Sequence, residues 1–464
     1  MADENRATET DDLLDRVDAA VEAGDRAALD AALEPMHPAD IADLIERLTP
    51  GDRRAFLTLY ADGIDGDVLS EIDESIREEV LEQLPRAVLD DAVREMDSDD
   101  VVDLVEDLDD AERALILAAL DAGDRAAVQQ SLAYPEYSAG RLMQSEVVTA
   151  PEHWTVARAI QFLRAEEWLP EQFYHIVLVD PRRHPVGYVT LGRLLASRSD
   201  ATLRELAEDS FRTISAFAEE AEVAYVFNQY HLISAPVVDR DDRLVGVITI
   251  DDAMQVLDEE HEEDILRLAG VGDESSISDS VMQTVRQRVP WLATNIVTAL
   301  AAASVIAFFE DAIAQLVALA VLMPIVASMG GNAGTQTLTV AVRGLATRDL
   351  SRANALRVVR REVIVGLTNG VFFGVIMAAI TWVWFRDPGL AAVIGSAMII
   401  NLLVAALAGI LIPLGLNKLG ADPALASGTF VTMMTDVIGF LAFLGLATAE
   451  MLGPRTRPNI ESRR

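Results

Sequence analysis

The chain has 464 residues, 51% of them hydrophobic, with mean hydropathy +0.23, no cysteine and a formal net charge of −38. That length allows three or four domains, and that hydropathy calls for membrane content. The charge repels nucleic acid, and the absence of cysteine excludes disulfides and thiolate metal sites.

The charge is unevenly placed. Residues before Val281 hold 23 basic and 66 acidic groups, against 14 and 9 from Val281 onward. An acidic soluble part is joined to a basic-edged membrane part. Such an acidic surface either attracts cations or reflects life in high salt. The N-terminus, MADENRATETDD, is acidic and lacks the apolar core of a cleavable signal peptide, so the soluble part is expected in the cytoplasm.

Residues 1–133 read as helices. DIADLIERL places Ile41, Leu44, Ile45 and Leu48 on one face at helical spacing, and DVVDLVEDL repeats the pattern from Asp100. Each is followed by a second apolar helix, which predicts a stack of helix pairs. Most acids fall on the solvated face. Asp99, Asp100 and Asp103 crowd one helix start, where a divalent cation would relieve their repulsion.

From Ser138 to Glu260 strands and helices alternate. HIVLVD, PVGYVTL and the helix GRLLAS form one unit; APVVD, RLVGVITI and the helix DDAMQVL form a second. Strand, turn at Asp, glycine-containing strand and helix together resemble a tandem pair of CBS domains, modules that sense nucleotides or ions. The first copy has Arg193 where the second has the acidic Asp252 at the helix start. The last helix runs on through DEEHEEDILRLA, whose acids are offset only by Arg267. It reads as a charged connecting helix or as one that needs cations between itself and a neighbour. Oxygen-only clusters without cysteine suit Mg²⁺ or Ca²⁺.

Five uncharged runs follow: Pro290 to Phe309, Ala312 to Val342, Val363 to Phe385, Pro388 to Asn417, and Pro423 to Ala449 interrupted by one charge. Each is long enough to cross a bilayer, for which roughly 20 apolar residues suffice. Six arginines between Val342 and Val363 make that loop cytoplasmic, so an odd number of spans sends the C-terminus outside. In the second run Pro324 removes a backbone donor, and Gly330, Gly331 and Gly334 are expected to loosen the helix. Asn332, Thr335 and Gln336 put polar groups at membrane depth, facing either a wet path or neighbouring helices. In the fifth run Asp436 is the interrupting charge, with Thr432 able to share its face. An intramembrane carboxylate marks a functional site by default. No basic residue lies at that depth, so Asp436 either meets a cation or water, or is held neutral by hydrogen bonds.

The order of helical repeat, CBS pair, acidic helix and five spans resembles the MgtE family of magnesium channels. The most specific segments are PIVASMGGNAGTQ, RGLATRDL and TDVIGFLAFLGLA. The resemblance implies a multidomain chain: a helical N domain (1–133), CBS domains at 138–200 and 201–257, a linker or plug helix and its connection (258–285), a five-helix pore domain (286–453) and a tail (454–464). It implies a homodimer in the cell membrane with the soluble domains cytoplasmic and a pore between subunits. Asp436, Asn332, Pro324, Gly331, Gln336 and Thr432 would line the Mg²⁺ path. Mg²⁺ at Asp99, Asp103, Asp252, Glu259, Glu260, Glu263 and Asp264 would hold the linker helix over the pore and close it. ATP is a possible further ligand, although His231, Leu232 and Gln255 depart from the family's pattern. No enzymatic activity is expected, and no GxxxxGK[ST] loop for nucleotide-driven pumping occurs. Two rival readings are a membrane-anchored CBS nucleotide or ion sensor and a transporter of broader selectivity that also takes Co²⁺ or Mn²⁺.

Overall fold

The computed structural model describes residues 13–452 apart from 15, 107, 167, 171–172, 209–210, 272–274, 276–280 and 352. The opening acidic run and the expected tail at 454–464, with its arginines, lie outside the described residues. Two compact units result, Met1–Glu260 and His261–Arg464.

The first unit begins with short helices that bury one apolar stripe each: Pro38–Arg47, Pro50–Tyr60, Glu74–Gln83, Arg86–Glu95, Ser98–Glu106, Asp110–Ala119 and Ala122–Ser131. Ile45, Phe56, Leu57, Val80, Val93 and Val105 meet in a single core. A recurrent arginine ties consecutive helices. Arg53 donates to the carbonyls of Ile45, Glu46 and Leu48, and Arg113 repeats this with Val105, Glu106 and Leu108. Arg125 does so again with Leu117, Ala118 and Leu120. Each guanidinium satisfies carbonyls that a helix C-terminus leaves without partners and complements its negative pole.

Two three-stranded sheets follow with the same plan. β1 (Thr149–Pro151) runs parallel to β2 (His175–Val179), which pairs antiparallel with β3 (Pro185–Thr190). β4 (Ile214–Ser215), β5 (Ser234–Val238) and β6 (Leu244–Thr249) repeat the order, and both hairpins carry a register shift near their turn, between Leu178 and Val179 and between Val237 and Val238. The turn chemistry explains the match. Asp180 accepts from the backbone of Arg182 and His184, and Asp239 accepts from that of Asp241 and Arg243. Arg183 and Asp242 then take left-handed conformations, with φ of 66° and 57°. A 20-residue helix, Ile250–Ala269, leaves β6 and crosses the boundary between the units.

Among the described residues the second unit holds five helices long and apolar enough to span a bilayer: Val281–Phe308, Ala318–Ala346, Ala355–Phe385, Pro388–Leu419 and Pro423–Ala447. These are called the first to fifth spans below. Two sequence expectations change. The second span continues as helix through Pro324 and past Gly330, Gly331 and Gly334, so the glycines do not break it. The third begins at Ala355, well before the uncharged run, which brings Arg357, Arg360, Arg361 and Glu362 into the helix.

The fourth span is the central post. Leu390, Ile394, Ala397, Met398 and Leu402 are buried against residues of the second and fifth spans. The third span packs on it through Gly366, Gly370 and Gly374. A methyl group added at Gly370 would lie 3.0 Å from Ile399 Cα, and one at Gly374 would lie 2.7 Å from the Gly395 carbonyl oxygen. Small residues at every fourth position let two helix backbones approach where lipid offers no hydrophobic drive for association.

Candidate functional site

The second span sorts its side chains into two faces. Leu322, Val326, Gly330, Gly334, Leu338 and Ala341 are buried within the protomer. Pro324, Ser328, Asn332, Thr335, Gln336 and Thr339 form an exposed stripe at helical spacing, with Gly331 partly exposed beside it. Thr335 and Thr339 return their hydroxyl protons to the carbonyls of Gly331 and Thr335, each at 3.0 Å. Among the described residues Asn332 and Gln336 have no hydrogen-bond partner within the protomer. A polar row with unspent amides is therefore presented on the outer face of a membrane helix.

The fifth span lies against the buried side of that helix. A methyl group at Gly334 would come within 2.5 Å of Val431 Cγ1 and 3.6 Å of Thr435 Cγ2. That contact fixes the relative height of the two spans and sets Asn332 and Gln336 level with Thr432 and Asp436. Thr432 is exposed and Asp436 half-buried. Thr435 is fully buried and donates to the Thr432 carbonyl at 2.9 Å. Among the described residues no side chain or backbone group pairs with the Asp436 carboxylate. The neutral, internally hydrogen-bonded aspartate considered above thus has no donor among the described residues of this protomer.

At the start of the fifth span, Asp422 caps the helix by accepting from Ala424 N at 2.7 Å. Arg267, near the end of the acidic helix, pairs with Asp422 at 2.7 Å and with Glu263 at 2.9 Å. Leu268 packs with Leu338, Val342, Ala424 and Val431. Asp264 is pushed above the usual carboxylate range by burial and by the charge of Asp422.

In the first unit, Ser98–Glu106 docks by its N-terminus against the α/β part. The Ser98 hydroxyl donates to Glu146 at 2.8 Å and accepts from Ser145 N at 2.8 Å, while Gln144 donates to Asp97 at 3.3 Å. This brings Asp97, Asp99 and Asp100 toward Glu146, Asp251 and Asp252. Burial first, then the neighbouring acids, pushes Asp100 up to about 7. Burial also raises Asp252 to about 6 against two hydrogen bonds from Thr249, and Asp99 well above its ordinary value.

Of the acids expected to meet cations, the structure joins Asp99 and Asp100 with Asp252. Asp103 is instead held by Arg77 at 2.8 Å, a basic neighbour 26 residues away that sequence spacing conceals. Glu259 accepts from Gln255 at 3.0 Å on its own helix, and Glu260 is exposed. The donor chemistry suits a hard divalent ion. However, among the described residues no three acidic or histidine side chains converge closely enough to hold one.

A narrow cleft, with a cavity volume of about 20 Å³, lies next to the acidic group, walled by Gln144, Glu146, Phe173, Tyr174, His175 and Thr249. His175 Nδ1 lies 2.5 Å from Ser234 Oγ, and burial lowers the imidazole's proton affinity. Leu232 is buried in the core of the second sheet and does not reach this cleft, and His231 takes the left-handed position ending helix Glu220–Tyr230. Arg193, in the place of Asp252, pairs with Glu208 at 3.0 Å.

The comparisons agree with this architecture. The profile described as divalent cation transporter matches residues 323–446, that of the MgtE intracellular N domain residues 36–137, and that of the CBS domain residues 139–200 and 198–259. The magnesium transporter MgtE of Enterococcus faecalis is 34% identical over 324 residues, covering 70% of this chain and 71% of the relative. The chain belongs to the MgtE family. The Bacillus subtilis and Thermus thermophilus magnesium transporters MgtE are each 32% identical, covering 70% and 69% of this chain and 72% and 71% of theirs. The crystal structure of the cytosolic domain of the Mg²⁺ channel MgtE in complex with ATP is 30% identical, covering 52% of this chain and 99% of that one, with TM-score 0.48. The helical N domain, CBS pair and five-span membrane region are thus those of an MgtE protein. Sequence reasoning missed Asn401 and Glu362. Both are buried polar groups in the membrane unit, and each stands alone among apolar or basic neighbours in the sequence.

Proposed function

We propose that this multi-pass membrane protein is a Mg²⁺ channel that admits the ion down its electrochemical gradient. The exposed stripe of Asn332, Thr335 and Gln336 on the second span, level with Thr432 and Asp436 on the fifth, carries this reading. Facing hydrocarbon, that row would be costly, and an ionised Asp436 would cost about 3 kcal/mol or more. A second copy of the chain, presenting the same row across a two-fold axis, would turn the cost into a water-filled path. Mg²⁺ dehydrates reluctantly, and a ring of carboxylate, amide and hydroxyl oxygens with the small Gly331 and Pro324 beside it suits an ion that keeps its water shell. The arginines at Arg343, Arg348, Arg357, Arg360 and Arg361 support a cytoplasmic side for that end of the spans, and a cytoplasmic acidic N-terminal unit is part of the proposal. A membrane potential then drives entry by about 2.3 kcal/mol per charge per 100 mV.

Regulation belongs to the same proposal. Excess acid at Asp99, Asp252, Glu259, Glu260, Glu263 and Asp264 favours cation uptake on the cytoplasmic side. Asp103, already matched by Arg77, contributes less. Packing of Leu268 beneath the second and fifth spans supports a linker helix that stops flow when docked. Rings at Phe173 and Tyr174 suit a nucleotide base, which makes ATP the ligand class proposed for the cleft.

Mg²⁺ uptake into proteoliposomes containing the purified chain tests this. The expected result is uptake driven by an inside-negative potential that falls as Mg²⁺ on the cytoplasmic face rises. Absence of uptake at every Mg²⁺ concentration, with nucleotide binding retained, would support an anchored sensor. Equal uptake of Co²⁺ or Mn²⁺ would support the broader transporter.

A further inference from the structure

The fourth span carries one amide deep in the protein. Asn401 is fully buried, donates from Nδ2 to the Val326 carbonyl at 2.7 Å, and leaves Oδ1 without a partner among the described residues. Val326 lies on the second span, six residues before Asn332 and two after Pro324. The amide is seated between two glycines. A methyl group at Gly330 would fall 2.3 Å from Asn401 Nδ2, and one at Gly439 would fall 2.9 Å from the same side chain. Gly330 precedes Gly331 and Asn332; Gly439 follows Asp436 by one helical turn.

We infer that Asn401 is a positioning residue for ion permeation, a pin that fixes the second span against the fifth and so sets Asn332 and Gln336 relative to Asp436. The argument rests on the channel reading above and adds to it a residue that touches no ion. Geometry supports a pin over simple filling. An apolar side chain of the same γ-branched shape would fill the space without a buried acceptor left over, and an orphaned amide oxygen costs free energy in a dry interior. The donated bond is what the amide supplies in return. It reaches a carbonyl of another helix in the turn that follows Pro324, and it is directional where apolar contact is not. The two glycines admit the amide from opposite sides, so one side chain registers three helices. A path that recognises an ion by several oxygens at once loses discrimination when those oxygens shift by a fraction of an ångström.

The test uses the full chain in proteoliposomes, with Asp436→Ala as the reference for loss of the path itself. Asn401→Leu keeps the γ-branched shape, at a larger volume, and removes the bond. Gly330→Ala keeps the amide and fills its seat. Both are expected to purify with the wild-type elution profile, to lower Mg²⁺ flux about tenfold, and to raise the half-saturating Mg²⁺ concentration and the Ca²⁺-to-Mg²⁺ flux ratio severalfold. Should either variant aggregate, Asn401→Ser, which retains a donor in a smaller side chain, gives the same readouts; it is expected to lie between wild type and Asn401→Leu. Flux reduced only in proportion to folded protein, with half-saturation and flux ratio unchanged, would make Asn401 a packing residue and overturn the inference. So would wild-type behaviour of Asn401→Leu. Undiminished flux in Asp436→Ala would instead remove the channel reading on which the inference stands.

Discussion

Asp436→Ala is expected to lower Mg²⁺ flux by about 100-fold, because the only carboxylate that the described residues present at that depth is lost. A carboxylate contributes about 3 kcal/mol to holding a cation through charge-assisted hydrogen bonds, and every 1.4 kcal/mol is a factor of ten. Asp436→Asn should be nearly as damaging: it keeps the shape and removes the charge. Asp436→Glu keeps the charge but reaches past the level that the Gly334 contact sets, so partial flux with weakened selectivity is expected. Thr432, exposed one turn earlier, has a hydroxyl to offer and no charge, and Thr432→Val should cost no more than about tenfold. Radiotracer or fluorescent-indicator uptake compares all four variants. Flux in Asp436→Ala equal to wild type would take the carboxylate out of the path.

The second large effect concerns the acids between the helical and α/β parts of the first unit. Asp100 sits at about 7 and Asp252 at about 6, with Asp99 also raised, all driven first by burial. Carboxyls raised above their unfolded values bind more protons in the folded state. Their contribution to stability is complete below about pH 4 and is lost as pH rises through about 6 to 7. For Asp252 alone, a rise from 3.8 to about 6 corresponds to a loss on the order of 3 kcal/mol across that window. The soluble unit in a chelator is therefore expected to melt at a lower temperature at pH 8 than at pH 5. Added Mg²⁺ should raise the melting temperature strongly at pH 8 and weakly at pH 5, where protons already neutralise the group. Asp252→Asn should flatten both dependences. A pH-independent melting temperature, or equal Mg²⁺ stabilisation at both pH values, would show that these acids stay ionised and apart.

Most of the architecture is legible in the sequence because it rests on local signals. Periodic apolar residues give the helical stack, aspartates at two equivalent turns give the paired hairpins, and uncharged runs give the spans. The site is legible only in part. Asp436 stands out because a charge in an apolar run has no ordinary explanation. Gly330 and Gly334 read as loosening the helix, yet they are sockets for Asn401 and Val431 from other spans, and nothing near them in the chain announces those partners. Asp103 reads like its neighbours until Arg77 arrives from the preceding part of the stack. The third span's Gly366, Gly370 and Gly374 could have been read as a close-packing motif. A lone asparagine in an apolar run, such as Asn401, gives no hint of its acceptor.

The glycine face between the third and fourth spans has a consequence for biogenesis. These are the most apolar spans, with mean hydropathies of 2.2 and 2.5, and only Arg386 and Asp387 separate their helices. They can partition from the translocon into lipid as a preassembled hairpin. The second span, at 1.3, is the least apolar of the five and partitions poorly by itself. Its buried face finds its partner once the fourth span has emerged and offers Asn401 to Val326. Nascent chains halted before Pro388 should thus leave the second span exposed to aqueous modification reagents, whereas chains halted beyond Leu419 should protect it. Assembly order is then written into the pairing of a weak helix with one translated later.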